Sequence, residues 1–578
     1  MAEQVNTRTS TPPWGITPAG SSFLRDLPIV LAGLAVFYGI VSFAHYGIGP
    51  MNTEAEISLA PGALPKYALY SVIRIAAAYA LSLVFTLIYG YIAAYNKRAE
   101  RLMIPLLDTL QSIPVLSFLP GVMVAMVSLF PTRQLGVELG SILLIFTGQV
   151  WNMTFSFYSS LKNIPREMRE ASRVYHFSWF QRFVQMELPY ASIGLIWNSM
   201  MSVAGGWFFL MACEMFVLGD RDLRLPGLGS YLQTAANEGK TRAILAGVGM
   251  MILVIVLMDQ LIWRPVIAWA QKFKVEQVEA AETPTSPILE LLRRSHLLSL
   301  ASEWTTAPAR ERLLRRFAQA HTTEQKSAKR SAAVWYPIAI IAIVALLYGI
   351  IRMFGMIAGV QWPEWRGILL GAGATFLRVE FVLLLAALWT VPVGIYIGLR
   401  PRLSAIAQPI AQIAASVPAT ALFPIVLLVL IRLGGGLGIG AIVLLLLGTQ
   451  WYILFNVIAG ATAIPTDLKE VCSVFRLSKA ERWRRLFLPA VFPYLVTGFV
   501  TASGGAWNAS IVAEYFHFHG ETISTVGLGA VISDATNRGN FHVLLAATVV
   551  MALMVVAINR LVWRPLYSLA STKYKLEA

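Results

Sequence analysis

The feature that most constrains this chain is a set of landmarks that occurs twice along it. In the later part of each copy the landmarks recur 300 residues apart: Pro165 and Pro465, Glu170 and Glu470, Pro189 and Pro489, Trp207 and Trp507, Glu214 and Glu514, Asn237 and Asn537, the triplet GLG at 227 and 527, and the triplet WRP at 263 and 563. Nearer the start of each copy they recur 304 residues apart: Arg74 and Arg378, Gly90 and Gly394, Pro105 and Pro409, Pro114 and Pro418, and Pro120 and Pro424. The fold must therefore use one unit twice.

Long apolar runs occupy most of both copies. Only 13% of the residues are charged, and the mean hydropathy is +0.63, whereas soluble domains carry roughly 25% charged residues. A bilayer core about 30 Å thick needs about 20 apolar residues of helix. The predicted spans are 27–48, 67–95, 102–130, 137–161, 190–216, 243–268, 334–354, 368–399, 405–432, 437–460, 490–516 and 541–563. The sequence thus predicts an all-α polytopic membrane protein with two six-helix repeats, about 12 transmembrane helices in all.

The repeats are predicted to be parallel, because an even number of spans returns each repeat to the side where it began. Residues 1–271 form the first repeat, 272–333 a linker and 334–578 the second repeat. Short loops on one side carry the basic residues Lys97, Arg98, Arg101, Arg400 and Arg402. The positive-inside rule makes that side cytoplasmic, which also places the linker and both termini in the cytoplasm. The linker is interpreted as a tether; the alternative is two amphipathic helices lying on anionic lipid.

Two polar segments, 167–189 and 467–489, interrupt the apolar pattern and are too charged to span a membrane. In the first, Val174, Phe177, Phe180 and Val184 recur at helical spacing, which predicts an amphipathic helix on the cytoplasmic side. A proline follows each segment, and proline disfavours the α conformation of the residue before it. Each helix, 166–186 and 466–486, is therefore predicted to end before the next span.

These segments resemble the EAA loop of binding-protein-dependent ATP-binding-cassette (ABC) importer permeases of the type I fold. The matching residues are Glu170, Ala171, Leu188 and Pro189 in the first copy and Glu470, Leu488 and Pro489 in the second. The tract with Trp207 and Glu214, then GLG and WRP, resembles permeases of the nitrate/sulfonate/bicarbonate group, so the likeness covers nearly the whole chain twice. We call residues 166–186 and 466–486 the EAA segments. The chain departs from the family pattern at His176 and Arg476, where a glycine is usual, and in reading EVC for EAA in the second copy.

The resemblance implies that the EAA segments form coupling helices bound by two copies of an ATP-binding-cassette subunit. ATP and Mg would be bound by that partner, with no cofactor on this chain, in the bacterial inner membrane. A periplasmic or lipid-anchored substrate-binding protein is a further partner that the resemblance suggests. It also implies a small oxyanion as substrate, namely nitrate, bicarbonate, cyanate or an organosulfonate, and leaves export open beside import.

No catalytic or metal site is predicted from the residues. A P-loop needs the pattern GxxxxGK[ST] to hold phosphates, and the GKT at 239–241 has Thr234 where the first glycine would stand. No nucleophile and base pair stands out, and neither does a His/Cys cluster. The ATPase is therefore expected on a separate chain.

Ionisable residues within spans are functional hypotheses by default. Glu214, Glu514, Arg74 and Arg378 occupy matched positions, and together with Trp207 and Trp507 they are assigned to the substrate pathway. In one interpretation the charged residues line or gate the pathway; in the other they form structural ion pairs that hold spans two and five together. A third hypothesis is a secondary transporter that uses Glu214 and Glu514 as ion-coupling sites.

Other polar residues of the spans differ between the copies. Asn152 corresponds to Tyr452, and Gln149 corresponds to Thr449. A pathway between the repeats would then have two unlike walls, and it could bind one asymmetric substrate in one orientation.

Overall fold

The computed structural model describes residues 23–50, 56–218, 221–273, 287–295, 344, 347–434, 436–518 and 521–573. Three parts of the prediction lie outside these residues: most of the linker, the two ends of the chain that were predicted to be cytoplasmic, and the start of span 334–354. The predicted domain boundaries therefore remain a prediction.

The first half of the chain is built from helices of two kinds, long apolar ones and short surface ones. Their bounds are α1 Phe23–Ile48, α2 Leu64–Tyr95, α3 Lys97–Ser112, α4 Leu119–Leu129, α5 Leu135–Lys162, α6 Arg166–Val174, α7 Trp179–Arg182, α8 Leu188–Glu214, α9 Leu228–Asn237, α10 Thr241–Met258 and α11 Arg264–Ala270. The strands β1 Val217–Leu218 and β2 Arg221–Asp222 form a small antiparallel hairpin after α8. A short helix, α12 Pro287–Arg294, lies within the predicted linker and packs against α11.

The second half repeats this order. Its helices are α13 Leu347–Ala358, α14 Trp362–Gly398, α15 Pro401–Ser416, α16 Ala419–Arg432, α17 Leu437–Thr462, α18 Thr466–Val474, α19 Lys479–Arg482, α20 Leu488–Ala513, α21 Leu528–Asn537, α22 Phe541–Ile558 and α23 Arg564–Lys573. A longer hairpin of β3 Tyr515–Phe518 and β4 Glu521–Ser524 follows α20. The observed order confirms the predicted all-α fold with one unit used twice.

Each half has a three-helix core. The helix α5 packs between α2 and α8, and α17 packs between α14 and α20. Small residues allow this close approach: a Cβ at Gly90 would lie only 2.8 Å from the ring of Phe157. The hydroxyls of Thr86 and Thr154 also lie 3.0 Å apart across the same contact. Small residues and inter-helix hydrogen bonds are the usual means of holding helices together in lipid.

Seven helices of the described residues are long and apolar enough to cross a membrane: Pro61–Tyr95, Trp179–Glu214, Thr241–Ala270, Trp362–Gly398, Leu437–Thr462, Lys479–Ala513 and Phe541–Ala570. They fall on predicted spans. The helices α1 and α5 also lie where spans 27–48 and 137–161 were predicted.

Spans 102–130 and 405–432 were wrongly predicted as continuous helices. In the first half the chain bends by 86° between Lys97–Gln111 and Val115–Leu129. In the second half it breaks between α15 and α16. Both breaks lie at a residue before proline, Ile113 and Val417, whose backbone is extended with ψ near 125° and 117°. The proline ring excludes the helical conformation there, so the sequence already contained the signal.

The turn at the first break lies against the second half of the chain. The carbonyl of Ser117 accepts a hydrogen bond of 3.0 Å from the hydroxyl of Thr548. The backbone N–H of Leu116 donates to the amide oxygen of Asn508 at 3.3 Å. The hairpins also cross over, since β3 contacts α9 of the first half and β1 contacts α21 of the second.

Candidate functional site

Each EAA segment is two helices joined by a tight turn, so the prediction of one continuous helix over 166–186 and 466–486 was wrong. The helix α6 ends where the N–H of His176 donates to the carbonyl of Arg173 at 3.0 Å, and the N–H of Phe177 donates to that of Ser172 at 2.9 Å. This is the Schellman pattern that commonly ends helices. His176 has φ +50°, and Arg476 has φ +48° at the matched turn. The turn that usually takes glycine is thus kept with larger residues, at a cost of about 1 kcal/mol each.

A capping box starts the next helix in both copies. The hydroxyl of Ser178 accepts from the N–H of Gln181 at 3.3 Å, and the Gln181 side chain accepts from the N–H of Ser178 at 2.9 Å. Ser478 and Glu481 repeat this arrangement. The spacing Ser-x-x-Gln/Glu is a recognised helix start, so this signal could have revealed the break.

The prediction that Pro189 and Pro489 end these helices was also wrong. The helix continues from Trp179 to Glu214 through a π-helical segment, Phe183–Glu187. The N–H of Leu188 reaches back to the carbonyl of Phe183 in this wider turn. Such an insertion shifts the backbone register, and proline is tolerated in the first turn of the helix that follows. The segment Trp483–Phe487 has the same geometry before Pro489.

Exposed side chains mark the tips of the EAA segments. Glu170, Ala171 and Glu470 are exposed, whereas Pro189 and Pro489 lie half-buried in the following span. Leu188 is half-buried and Leu488 is exposed. At the turn two adjacent apolar residues are about three-quarters exposed in each copy: Val174 at 73%, Tyr175 at 74%, Val474 at 77% and Phe475 at 73%. Glu170 and Glu470 therefore lie on the short helices that end at these apolar side chains. The Leu-Pro pairs lie apart from them, at the start of α8 and α20.

A buried ion cluster joins three helices at the other end of the first half. The guanidinium of Arg74 on α2 binds Glu138 on α5 through two contacts of 2.7 Å. It also binds Glu214 on α8 at 2.8 Å and the carbonyl of Pro226 at 2.9 Å. Glu138 was not predicted, although it is an ionisable residue within a predicted span and the same rule would have found it.

Both carboxylate oxygens of Glu214 accept hydrogen bonds. It accepts from the hydroxyl of Ser71 and from the N–H of Gly229, both at 2.7 Å. A Cβ at Gly227 would overlap its carboxylate. The Glu and the GLG triplet, found separately in the sequence, therefore form one structural unit.

The second half has a matched but simpler cluster. Arg378 contacts Glu514 and donates to the carbonyl of Val526 at 3.0 Å. Glu514 accepts from Thr375 at 2.8 Å and from the N–H of Gly529 at 2.8 Å. The structure thus pairs both arginines with the predicted glutamates.

A cavity of about 530 Å³ lies between the halves and is lined by residues from both. Within the described residues, none of the six residues assigned to the pathway lies on its wall: Arg74, Arg378, Glu214, Glu514, Trp207 and Trp507. Trp207 and Trp507 are buried in the core instead. Whether transport depends on these six remains a prediction.

Matched and unmatched positions of the two halves meet on the cavity wall. Trp151 and Trp451 occupy equivalent positions in the two halves, whereas Asn152 of the first half corresponds to Tyr452 of the second. The expectation of two unlike walls therefore agrees with this lining. The tryptophan pair was not predicted, although it recurs in the same 300-residue register as the other landmarks.

Comparisons with known proteins agree with this arrangement. The family described as "Binding-protein-dependent transport system inner membrane component" matches twice, at residues 62–262 and 390–563. The nitrate import permease protein NrtB of Leptolyngbya laminosa is 30% identical over 34% of this chain and 67% of its own length. The bicarbonate transport system permease protein CmpB of Synechococcus elongatus is 29% identical over 38% of this chain and 72% of its own. The putative aliphatic sulfonates transport permease protein SsuC of Bacillus subtilis is 24% identical over 35% and 70%, respectively.

The family match covers more than half of the chain, and its two occurrences fall one in each repeat. This is a family of transport permeases, not of catalytic subunits. The chain therefore belongs to the binding-protein-dependent transport system inner membrane component family, as a multi-pass ABC permease that carries two units of that family in one chain.

Proposed function

We propose that this permease works with two copies of an ATP-binding-cassette subunit, one bound at each EAA segment, in an ATP-driven importer. The observation that carries the proposal is the matched pair of exposed apolar tips, Val174–Tyr175 and Val474–Phe475. Exposed apolar side chains beside a carboxylate are typical of an interaction surface. Two such surfaces on parallel repeats face the same side, which suits a pair of identical partners.

The long helix that begins after the tip in each EAA segment also lines the cavity. The continuous helix Trp179–Glu214 runs from the first EAA segment past Trp197 and Gly205 of the cavity wall. Arg169 further ties α6 to the end of α5, because its guanidinium donates to the carbonyls of Leu161 and Lys162 at 2.8 and 3.0 Å. A displacement of the EAA segment by the partner would therefore reach the cavity directly.

Other parts of the proposal follow from the family. ATP and Mg would be held by the partner subunits, and a binding protein would deliver substrate on the opposite side of the membrane. Both termini and the linker would lie in the cytoplasm with the EAA segments. Relatives named for nitrate, bicarbonate and aliphatic sulfonates make an oxyanion the substrate class that similarity favours.

The ion clusters fit a structural role in this proposal. Glu214 is fully buried, and Arg74, Ser71 and Gly229 already hold its two oxygens. A coupling ion would have to displace these contacts. The hypothesis of a secondary transporter with Glu214 and Glu514 as ion sites therefore gains no support from the geometry.

Co-purification of the chain with its ATP-binding subunit tests the proposal. The double variant Val174→Asp with Val474→Asp should release the partner, and Glu170→Ala with Glu470→Ala should lower transport-coupled ATP hydrolysis. Val526→Asp is the matched control, because Val526 is also exposed but lies in the loop beside Arg378, away from the EAA segments. A chain that transports substrate alone, or that keeps its partner in the Val→Asp double variant, would refute the proposal.

A further inference from the structure

A second cavity, of about 470 Å³, is lined by residues of the first half alone. It follows α5 and α8 from Asn152, which also lines the cavity between the halves, to Asn163 just before the EAA segment. Among the described residues of its lining there is no charged side chain, and hence no carboxylate that would repel an anion. We call this cavity the polar groove, and its polar residues are Asn152, Ser156, Ser159, Ser160, Asn163, Tyr190 and Asn198.

The polar groove extends the cavity between the halves toward the EAA segments. Phe155 and Ser159 of the groove correspond, at the 300-residue spacing, to Phe455 and Ala459, which line that cavity. Asn152 lines both spaces. Because the two halves repeat one unit, the groove and this part of the cavity wall occupy equivalent surfaces of α5 and α17. The groove is therefore the first half's side of one path.

The matched surface of the second half has lost most of these polar groups. At five of the seven positions the polar residue is replaced by alanine or glycine, namely Ala459, Gly460, Ala463, Ala490 and Gly498. Two of these changes let α20 lie close to α17, since a Cβ at Gly498 would lie 3.1 Å from the backbone of Ile453. A Cβ at Gly460 would lie 2.9 Å from the ring of Tyr494. The second half thus fills this surface by packing.

The first half leaves the same place open to hydroxyl groups. Gly194 stands where the second half has Tyr494. A Cβ at Gly194 would lie 3.0 Å from the hydroxyl of Ser156 and 3.2 Å from that of Ser160. A ring therefore occupies the matched place in one half, and two hydroxyls border it in the other.

Several donors of the polar groove can bind a solute. Within the described part of the chain, the side chains of Asn152 and Ser156 make no hydrogen bond to the protein. Asn198 uses one of its two N–H groups, which it donates to the carbonyl of Gly194 at 2.9 Å. Hydrogen bonds to an ionised acceptor are stronger than neutral ones. Neutral donors in series can therefore hold an oxyanion, yet weakly enough for it to move on, as a conducting path requires.

We propose that the polar groove is the route by which the transported oxyanion leaves the cavity between the halves on the side of the EAA segments. Only the first half then guides the solute, and the second half, filled by Tyr494, is a supporting wall. The inference rests on the proposed function and deepens it, because it gives the oxyanion a path and names the N–H and O–H groups that it meets.

Exchange of matched residues between the halves tests the route. Gly194→Tyr with Ser160→Gly gives the first half the filled arrangement and should lower uptake at least about tenfold, because a blocked path does not conduct. The reciprocal control, Tyr494→Gly with Gly460→Ser, should leave uptake at the rate of the unmodified chain. Uptake of sodium nitrate, sodium bicarbonate and methanesulfonate is measured in the native cells, which supply the partner proteins.

A second pair of variants removes donors without adding bulk. Ser159→Ala with Asn163→Ala copies the second half and should lower uptake about three- to tenfold, the effect of one or two lost hydrogen bonds. Ala459→Ser with Ala463→Asn is the matched control and should keep the unmodified rate. Full uptake in both first-half variants, or equal losses in the matched second-half variants, would overturn the inference.

Labelling shows whether the polar groove holds water. The thiol of Ser159→Cys should react in nanodiscs with an anionic methanethiosulfonate, because the reactive thiolate needs an aqueous setting. The anion that is taken up should slow this reaction. The unmodified chain is the control, since Cys213 and Cys472 are buried. A Ser159→Cys variant that reacts no faster than this control would show that the groove faces lipid, and would refute the route.

Co-purification of the ATP-binding subunit with each variant separates this inference from the proposed function. Loss of the partner from the unmodified chain would count against the proposed function. A retained partner with full uptake in Gly194→Tyr with Ser160→Gly would count against the route alone. A retained partner with no uptake of any of the three anions would overturn the anion route and leave the ATP-binding partnership in place.

Discussion

The two halves place an arginine and a glutamate at the same positions, yet they bury these charges differently. Arg74 meets two carboxylates and its side chain is 0% exposed, whereas Arg378 meets Glu514 and its side chain is 12% exposed. Gly438 stands in the second half where Glu138 stands in the first. The comparison teaches that both halves share one Arg–Glu ion pair. The first half adds a second ion pair, through Glu138, to its central helix α5.

The ends of the two halves that carry the EAA segments differ in the same direction. In the first half Glu187 binds Arg182 at 2.8 Å and accepts from the hydroxyl of Tyr95 at 2.5 Å, which ties the EAA segment to α2. In the second half Phe487 replaces this glutamate and packs at the edge of the apolar core. Polar contacts thus lock the first half at both ends of its spans, and the second half relies more on apolar packing.

The largest effect should come from removing the arginine of each cluster. Arg74→Ala leaves two buried carboxylates without a counter-charge, and breaking a buried pair typically costs about 3–5 kcal/mol. Arg378→Ala leaves one carboxylate near a partly exposed site, so its cost should be smaller. The midpoint of thermal unfolding in nanodiscs, measured for both variants, checks the difference; equal losses would contradict a stronger first-half cluster.

Replacing Glu138, the second carboxylate that binds Arg74, should have an intermediate effect on stability. Glu138→Gln should destabilise the first half by about 1.5–3 kcal/mol, the usual worth of a hydrogen bond to a charged group. Gly438→Glu should stabilise the second half, because a Cβ there would come no closer than 3.8 Å to Thr525, which itself lies beside Arg378. Gly438→Gln is the neutral control. If Gly438→Glu lowers the unfolding midpoint more than Gly438→Gln does, Arg378 does not accept a second carboxylate.

The smallest effect on stability should come from placing glycine at the turns of the EAA segments, and it should be equal in the two halves. His176→Gly and Arg476→Gly place glycine at positive φ, which relieves the strain of a side chain in the left-handed region. Each should stabilise the protein by about 0.5–1 kcal/mol, measured again as the unfolding midpoint. A gain in one half only would show that the two turns are not equivalent, in spite of their closely similar backbone angles.

Much of the fold follows from residues that act locally. The spans follow from apolar length, and the pairing of Arg74 with Glu214 follows from the cost of charge in a membrane. The breaks at Pro114 and Pro418 were also local signals, which the apolar runs concealed. The capping box at Ser178 was a local signal within a polar segment. The cavity could not be predicted in the same way. Trp151 and Trp451 line one cavity only because the halves pack against each other, which depends on contacts between residues far apart in the chain.

The unlike walls of the cavity have a genetic consequence. In a permease made of two identical subunits, one codon change alters both walls of the pore at once. Here Asn152 and Tyr452 are encoded separately, so one wall can change its chemistry while the other keeps it. A duplicated gene in a single reading frame thus allows selection to shape one wall for a new solute without disturbing the opposite wall.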